Sequence, residues 1–209
     1  IDRFGRKPLL TFGVTGIALS MFLLAYEFNS ATYMLTNDNI SELSIEPEKE
    51  KIAPMIGVQY ENDVAFKQAI KDNFGTVKAT EIESELISAG INMNPMLILI
   101  GIVGFVASFA ISLGPVMWVL FSELFPNRIR GIAISFVGLI NSAISFLVQL
   151  IFPWELDTIG NAMTFLLYGL FAVAGLLFII RVLPETKGRS LEELEKELDK
   201  IEETSKNLK

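Results

Sequence analysis

The segment GPVMWVLFSELFPNRIRG, residues 114–131, is the most informative part of the sequence. Its first half is apolar and uncharged, and it then changes to a Ser-Glu pair, a Phe-Pro step and the basic residues Arg128 and Arg130. This pattern is typical of a transmembrane helix that leaves the bilayer on the cytoplasmic side. Pro115 lacks an N–H and clashes with the carbonyl four residues earlier, so we expect a kink. Trp118 follows about one turn later, which indicates a binding site as well as a span.

The charges of the 209-residue chain are grouped in blocks that are separated by long uncharged stretches. Apolar windows at 9–26, 96–121, 131–152 and 161–183 each supply roughly the 20 residues that cross a hydrocarbon core. Four such windows predict an all-α membrane protein with four transmembrane helices rather than a soluble domain with buried helices. The chain has no cysteine and no histidine. Since thiolate ligands and the commonest general base are absent, we do not expect hydrolytic or metal-dependent chemistry. We predict that the protein is not an enzyme and binds no metal and no cofactor.

The charge pattern divides the chain into four segments. Residues 1–26 are a basic loop and the first span, and residues 27–95, called the insert below, carry 12 acidic and five basic side chains. Residues 96–183 hold three further spans, and residues 184–209 are a tail with leucines at the spacing of an amphipathic helix. The opening loop, the link near residue 128 and the region where the tail begins, with Arg181, Lys187 and Arg189, are basic, which predicts that all three lie on the cytoplasmic side. The insert is then expected on the outer side.

Asn141, Ser145 and Gln149 form a polar stripe on the third span, because residues four apart share a helix face. Polar side chains at membrane depth face either a partner helix or a water-filled cavity, and the spacing does not choose between the two. Trp118 likewise has two interpretations: a residue of a binding cavity, or a tryptophan of the interfacial belt.

Three blocks of the sequence together resemble the sugar porters of the major facilitator superfamily, which include bacterial xylose–proton symporters and facilitative glucose transporters. DRFGRKPLL at 2–10 resembles the family's loop between two helices, residues 114–131 resemble the signature around the tenth helix, and PETKG at 184–188 resembles the motif that closes the last helix. The resemblance implies that the four spans are helices nine to twelve of a twelve-helix fold. The chain would then be a C-terminal fragment, with the N-terminal helices of the same protein as its partners.

The resemblance also implies which residues contact the substrate. Trp118 matches the tryptophan that stacks on the bound sugar, and Gly114 matches a position where the sugar approaches the backbone. Phe105 and Phe109 match aromatic wall positions. Asn141 matches an amide that hydrogen-bonds to sugar hydroxyls.

A second group implied by the resemblance is a salt-bridge network on the inner side, formed by Asp2, Arg6, Glu123 and Arg130. It is expected to hold when the inner gate is closed, whereas the simpler interpretation is that these charges only fix the topology. Ser142 departs from the family, which commonly has a second tryptophan there. The departure leaves the identity of the sugar open.

The resemblance implies a multi-pass protein of the cell (inner) membrane, with both ends of this chain cytoplasmic. It would transport a monosaccharide, a pentose or a hexose, by alternating access and in symport with protons. An uncoupled facilitative uniporter stays open, because the coupling carboxylate of the symporters lies in the first helix, outside this chain. A transporter-like sugar sensor and a structural subunit without a ligand are further alternatives. The expected partners are a sugar and the lipid bilayer, and no nucleic acid.

The insert has two interpretations. Apolar residues at 64, 65, 69, 70 and 74 indicate a short amphipathic helix, and residues 80–87 indicate one or two further turns. A folded insert could cap the outer mouth of a transporter. Its many charges favour a solvated, partly disordered insertion, which is the expectation that we adopt.

Overall fold

The computed structural model describes residues 5–41, 49–125 and 128–183, and the statements below concern these residues. Stretches of this chain long and apolar enough to cross a membrane are Arg6–Ser30, Pro95–Glu123, Arg130–Thr158 and Gly160–Val182. This confirms the four predicted spans. The helices are α1 (Arg6–Ser30), α2 (Asn37–Ser41), α3 (Lys49–Ile52), α4 (Asp63–Phe74), α5 (Thr76–Gly90), α6 (Pro95–Ile111), α7 (Leu113–Leu124), α8 (Arg130–Thr158) and α9 (Gly160–Val182).

Two spans are longer than the sequence indicated. Helix α1 continues to Ser30 and includes Glu27, which is 6% exposed. Helix α8 continues through Pro153 to Thr158, six residues beyond the apolar window at 131–152 from which the third span was predicted. A proline removes one backbone donor but does not have to end a helix in a membrane, where neighbouring groups can satisfy the freed carbonyl. The turn between α8 and α9 is therefore very short, and Gly160 completes it with a φ of 84°.

The predicted kink in the second span is confirmed as a break between α6 and α7 at Ser112, whose φ and ψ are −116° and −88°. Pro115 cannot donate to the carbonyl of Ile111, one turn earlier, so the ladder is interrupted here. The Ser112 hydroxyl donates to the Ser108 carbonyl at 2.6 Å, and the Ser112 side chain is fully buried. The break is thus a fixed feature of the packed structure.

Helix α1 packs against this break through small residues. A Cβ placed on Gly13 would lie 1.7 Å from Ser112 Oγ, and one on Gly16 would lie 2.2 Å from Ser108 Oγ. Only glycine allows such a close approach, and small residues at helix contacts are typical of membrane proteins. The two glycines of the first span therefore have a packing role rather than facing lipid.

The described part of the insert folds around its own hydrophobic core, which corrects the expectation of a solvated, partly disordered insertion. The predicted amphipathic helix is α4, and its Asn62 cap accepts a hydrogen bond from the Ala65 amide at 2.8 Å. Helix α5 packs against α4 and is longer than the predicted turns at 80–87. The core contains, among others, Tyr33, Leu35, Ile52, Met55, Phe66, Ile70, Ala79, Ile82 and Leu86.

Three short strands, which the sequence did not indicate, complete the insert. They are β1 (Thr32–Met34), β2 (Gln59–Tyr60) and β3 (Ile91–Asn92), in the order β2-β1-β3 with antiparallel pairing. Tyr33 pairs with Tyr60 on one side and with Ile91 on the other. The Tyr33 ring stacks on Phe66 with centroids 5.7 Å apart. Burial, together with the charge of Asp63, raises the pKa of the Tyr33 hydroxyl to about 12.

Contacts divide the chain into two compact units. Among the described residues, the first contains 5–21, 101–125, 128–150 and 168–183, and the second contains 22–41, 49–100 and 151–167. The predicted cavity residues belong to the first unit, together with Arg6, Glu123 and Arg130 of the predicted gate. The described part of the insert belongs to the second, together with one end each of α1, α6, α8 and α9.

Candidate functional site

An ion pair joins the first turn of α1 to the end of α7. Arg6 Nη2 donates to Glu123 Oε1 at 2.6 Å, and the two side chains are 13% and 26% exposed. Such charge-assisted hydrogen bonds are shorter and stronger than neutral ones. The pair lies beside a small apolar core that contains Leu10 of α1 with Val116 and Leu120 of α7. Because this core already holds the two helices side by side, the Arg6 and Glu123 side chains lose little additional conformational entropy when they form the ion pair.

Two further basic side chains bind backbone carbonyls at helix C-termini. Lys7 Nζ donates to the Ile180 carbonyl at 2.9 Å, near the end of α9, and Arg130 Nε donates to the Phe125 carbonyl at 3.2 Å, just after α7. Cations are favourable at these positions because the last carbonyls of a helix lack partners and the helix dipole is negative there. Of the predicted network, the structure therefore brings Arg6 and Glu123 together and shows Arg130 on a carbonyl. Asp2 lies outside the described residues.

Trp118 is the centre of the predicted cavity. It lies on α7, six residues after the break, and is 49% exposed. Its ring meets the edge of Phe121 at 6.1 Å and 90°. A Cβ placed on Gly138 of α8 would lie 3.9 Å from the Trp118 ring. Asn141 is three residues after Gly138 and shares its helix face. The structure thus places Trp118 beside the face of α8 that carries Asn141.

Phe109 and Gly114 lie on opposite sides of the break and are in contact. A Cβ on Gly114 would lie 3.4 Å from the Phe109 carbonyl oxygen and 3.6 Å from the Phe109 ring. Phe105 lies one turn before Phe109 on the same face of α6 and is half-buried. Among the described ring contacts, none joins Phe105 or Phe109 to Trp118. The predicted cavity residues therefore form two neighbouring groups rather than one closed site.

The polar stripe of the third span is exposed along its whole length. Asn141, Ser145 and Gln149 are all exposed, as is Ser142. The apolar residues around them are also exposed, since α8 has no buried residue. Exposure alone therefore does not choose between lining a cavity and contacting another helix.

The chemistry available at these positions is neutral. Aromatic faces stack on the C–H faces of a ligand, an indole N–H donates, and an amide both donates and accepts. Within the described ranges, no group of three or more His, Cys, Asp or Glu side chains is arranged to hold a metal ion. The arrangement suits reversible binding of an uncharged, hydroxyl-bearing molecule.

Sequence reasoning missed the serine at the break, Ser112, whose hydroxyl donates to the backbone carbonyl of residue 108. The available signal was a serine in an otherwise apolar run, directly before Gly114 and Pro115. A serine can return its hydroxyl to a carbonyl one turn earlier, which often bends a helix.

Comparison with known proteins identifies relatives of this chain. The family model described as "Sugar (and other) transporter" matches residues 76–198. Facilitated glucose transporter member 10 of solute carrier family 2 from Danio rerio is 30% identical over 197 residues, which are 94% of this chain and 36% of that protein. The glucose transporter GlcP of Staphylococcus epidermidis is 38% identical over 133 residues, which are 63% of this chain and 30% of that protein.

The solved structures that resemble this chain also include a sugar transporter. The major facilitator superfamily proton:xylose symporter XylE, bound to 6-bromo-6-deoxy-D-glucose, is 29% identical with a TM-score of 0.55, over 93% of this chain and 30% of that one. The chain is thus an all-α, multi-pass membrane segment of the major facilitator type. It belongs to the sugar transporter family. It spans about a third of the length of these relatives.

Proposed function

We propose that the protein containing this chain transports a monosaccharide across the membrane by alternating access. The observation that carries the proposal is the position of Trp118, half-exposed on the helix that follows the break and next to the Gly138–Asn141 face of α8. An aromatic face opposite an amide side chain is the chemistry that a neutral sugar needs. The printed names of the relatives, which include glucose and xylose, support a sugar as the ligand.

In this proposal Trp118 stacks on the sugar and Asn141 hydrogen-bonds to its hydroxyls. Gly114 leaves room for the sugar beside the backbone, and Phe105 with Phe109 forms an aromatic wall. Substrate-binding residues of this kind bind without reacting, so the protein is a transporter and not an enzyme. Four spans provide only part of such a cavity, and we expect the isolated chain neither to transport sugar nor to bind it tightly.

For coupling, we propose proton symport, which the likeness to a proton:xylose symporter supports. Uncoupled uniport is the second candidate, because other relatives are named facilitated glucose transporters. A pH gradient across proteoliposomes separates the two. Symport predicts that an inward proton gradient drives sugar accumulation above the external concentration, and uniport predicts equilibration only.

The inner gate is the second part of the proposal. The Arg6–Glu123 pair holds the start of α1 against the end of α7, and Arg130 holds the link that follows α7. We propose that these ends lie on the cytoplasmic side, which their basic side chains support, and that the membrane is the cell (inner) membrane. We expect Arg130→Ala to slow transport by the full-length protein with little loss of membrane insertion. Unchanged flux at equal expression would remove Arg130 from the gate.

Counterflow uptake of radiolabelled glucose and xylose in proteoliposomes tests the function directly. Full-length protein is compared with Trp118→Ala and with Trp154→Ala, which removes the other tryptophan of this chain. Loss of an aromatic contact weakens binding by roughly tenfold at ~1.4 kcal/mol. We expect that loss only for Trp118→Ala. Saturable binding without any counterflow would instead identify a sugar sensor.

A further inference from the structure

A buried lysine ties the insert to the end of α8. Lys67, on α4, has only 10% of its side chain exposed, and its Nζ lies 2.9 Å from Asp157 Oδ1. The same Nζ lies 3.7 Å from Glu83 Oε1 on α5 and donates to the Leu156 carbonyl at 3.5 Å. Lysine is almost never this buried unless it is paired. The contact between the insert and α8 is therefore built around one satisfied charge.

Asp63, one turn before Lys67 on α4, ties the insert to the start of α9. Its Oδ2 accepts a hydrogen bond from the Asn161 amide at 3.0 Å. The first amides of a helix have no partner within the helix, and a carboxylate there is favourable to the helix dipole. Asp63 thus caps α9 from another element. A Cβ on Gly160 would lie 2.7 Å from Asp63 Oδ1, so only glycine fits beside the cap.

A third contact joins α1 to the same place. Phe28, near the end of α1, stacks on Phe165 of α9 with ring centroids 5.4 Å apart and an angle of 5° between the planes. The insert-side ends of α1, α8 and α9 are therefore all held together, and they fall in the same compact unit as the insert.

We propose that the insert stays bound to these insert-side helix ends and holds them in position, with Lys67 and Asp63 as positioning residues. The proposal rests on the proposed transport function in one respect, namely that the insert moves with the helix ends during transport instead of opening like a lid. A lid would have to separate Lys67 from Asp157 in every cycle. Separation would cost Lys67 its hydrogen bonds to Asp157 and to the Leu156 carbonyl. It would leave only Glu83, at 3.7 Å, beside a lysine side chain that is 10% exposed.

Hydrogen exchange tests the attachment without any transport. In Lys67→Met and in Asp63→Ala, we expect amides at 157–163 of the full-length protein to exchange at least about tenfold faster, as expected when a charged hydrogen bond is lost. Lys71→Met is the matched control, because Lys71 lies one turn further along α4 and makes no ion pair among the described residues. Equal exchange in Lys67→Met and Lys71→Met would overturn the proposal.

A cross-link tests the motion. The chain contains no cysteine, so Lys67→Cys/Asp157→Cys can be joined by a short bis-maleimide once cysteines elsewhere in the protein are replaced. We expect the cross-linked protein to restore exchange protection at 157–163 and to keep sugar flux within twofold of the single-cysteine variants treated alike. A tenfold loss of flux on cross-linking would show a moving lid and contradict the proposal. If the unmodified protein shows no flux, the proposed function fails, while the exchange experiment still decides whether the insert is attached.

Discussion

Gly13→Ala is expected to weaken the contact between α1 and the break in the second span. The new Cβ would lie 1.7 Å from Ser112 Oγ and 2.9 Å from the Ser108 carbonyl oxygen. Ordinary contact at ~3.5 Å requires the helices to separate by roughly 1.8 Å. Because Ser112 is fully buried, the separation opens packed structure, and overpacking of this kind destabilises by about 1–3 kcal/mol.

The free energy of unfolding of the full-length protein in detergent, measured by denaturant titration, checks this value. Gly175→Ala is the control, because a Cβ on Gly175 meets no atom within 4 Å and alanine favours a helix by ~0.8–1 kcal/mol over glycine. Ser112→Gly should partly rescue Gly13→Ala by removing the clashing side chain, although it loses the bond to Ser108, worth ~1 kcal/mol. If Gly13→Ala is as stable as the unmodified protein, the close approach of α1 to the break is refuted.

Three further predictions follow from single contacts. Glu123→Gln should lower the free energy of unfolding by about 1.5–3 kcal/mol, since a neutral amide replaces the carboxylate that accepts from Arg6. An unchanged free energy in the same denaturant titration would mean that the ion pair contributes nothing to stability. Gly160→Ala should cost about 1–3 kcal/mol, because φ is 84° and a Cβ would lie 2.7 Å from Asp63 Oδ1; an intact melting temperature would contradict this. The pKa of the Tyr33 hydroxyl is raised from 10.0 to about 12, so its contribution to the stability of the folded insert, at most about 3 kcal/mol, is complete below pH 10 and is lost as the pH rises from 10 to 12. Tyr33→Phe should abolish that loss when unfolding is followed at pH 9 and pH 12, and the same loss in both proteins would assign it to other groups.

The sequence predicted those features that depend on local chemistry. The length of the apolar runs predicted the four spans, and the missing N–H of Pro115 predicted the break in the second span. Pro153, by contrast, did not end α8, because the local rule that a proline ends a helix is weaker inside a membrane than in water. The candidate residues came from a resemblance, and the structure shows Arg6 with Glu123, and Trp118 beside the Asn141 face.

The insert could not be predicted for two physical reasons. Its strands are two or three residues long, which is too short for a period of two to be visible. Its attachment depends on the contact between Lys67 and Asp157, which are 90 residues apart in sequence. Lys67 is also buried, whereas the charge composition of the insert indicated that its lysines would be exposed to solvent. A count of charges therefore indicated a solvated segment where the structure has a packed core.

Fluorescence of Trp118 shows whether a sugar binds beside this residue. In the full-length protein, every tryptophan except Trp118 is replaced by phenylalanine, and a matched variant keeps only Trp154. Titration with glucose and with xylose should give a saturable change in Trp118 emission, and the emission of Trp154 should stay constant. A protein that takes up sugar in counterflow while Trp118 emission does not respond to either sugar would contradict the assignment of Trp118 to the binding cavity.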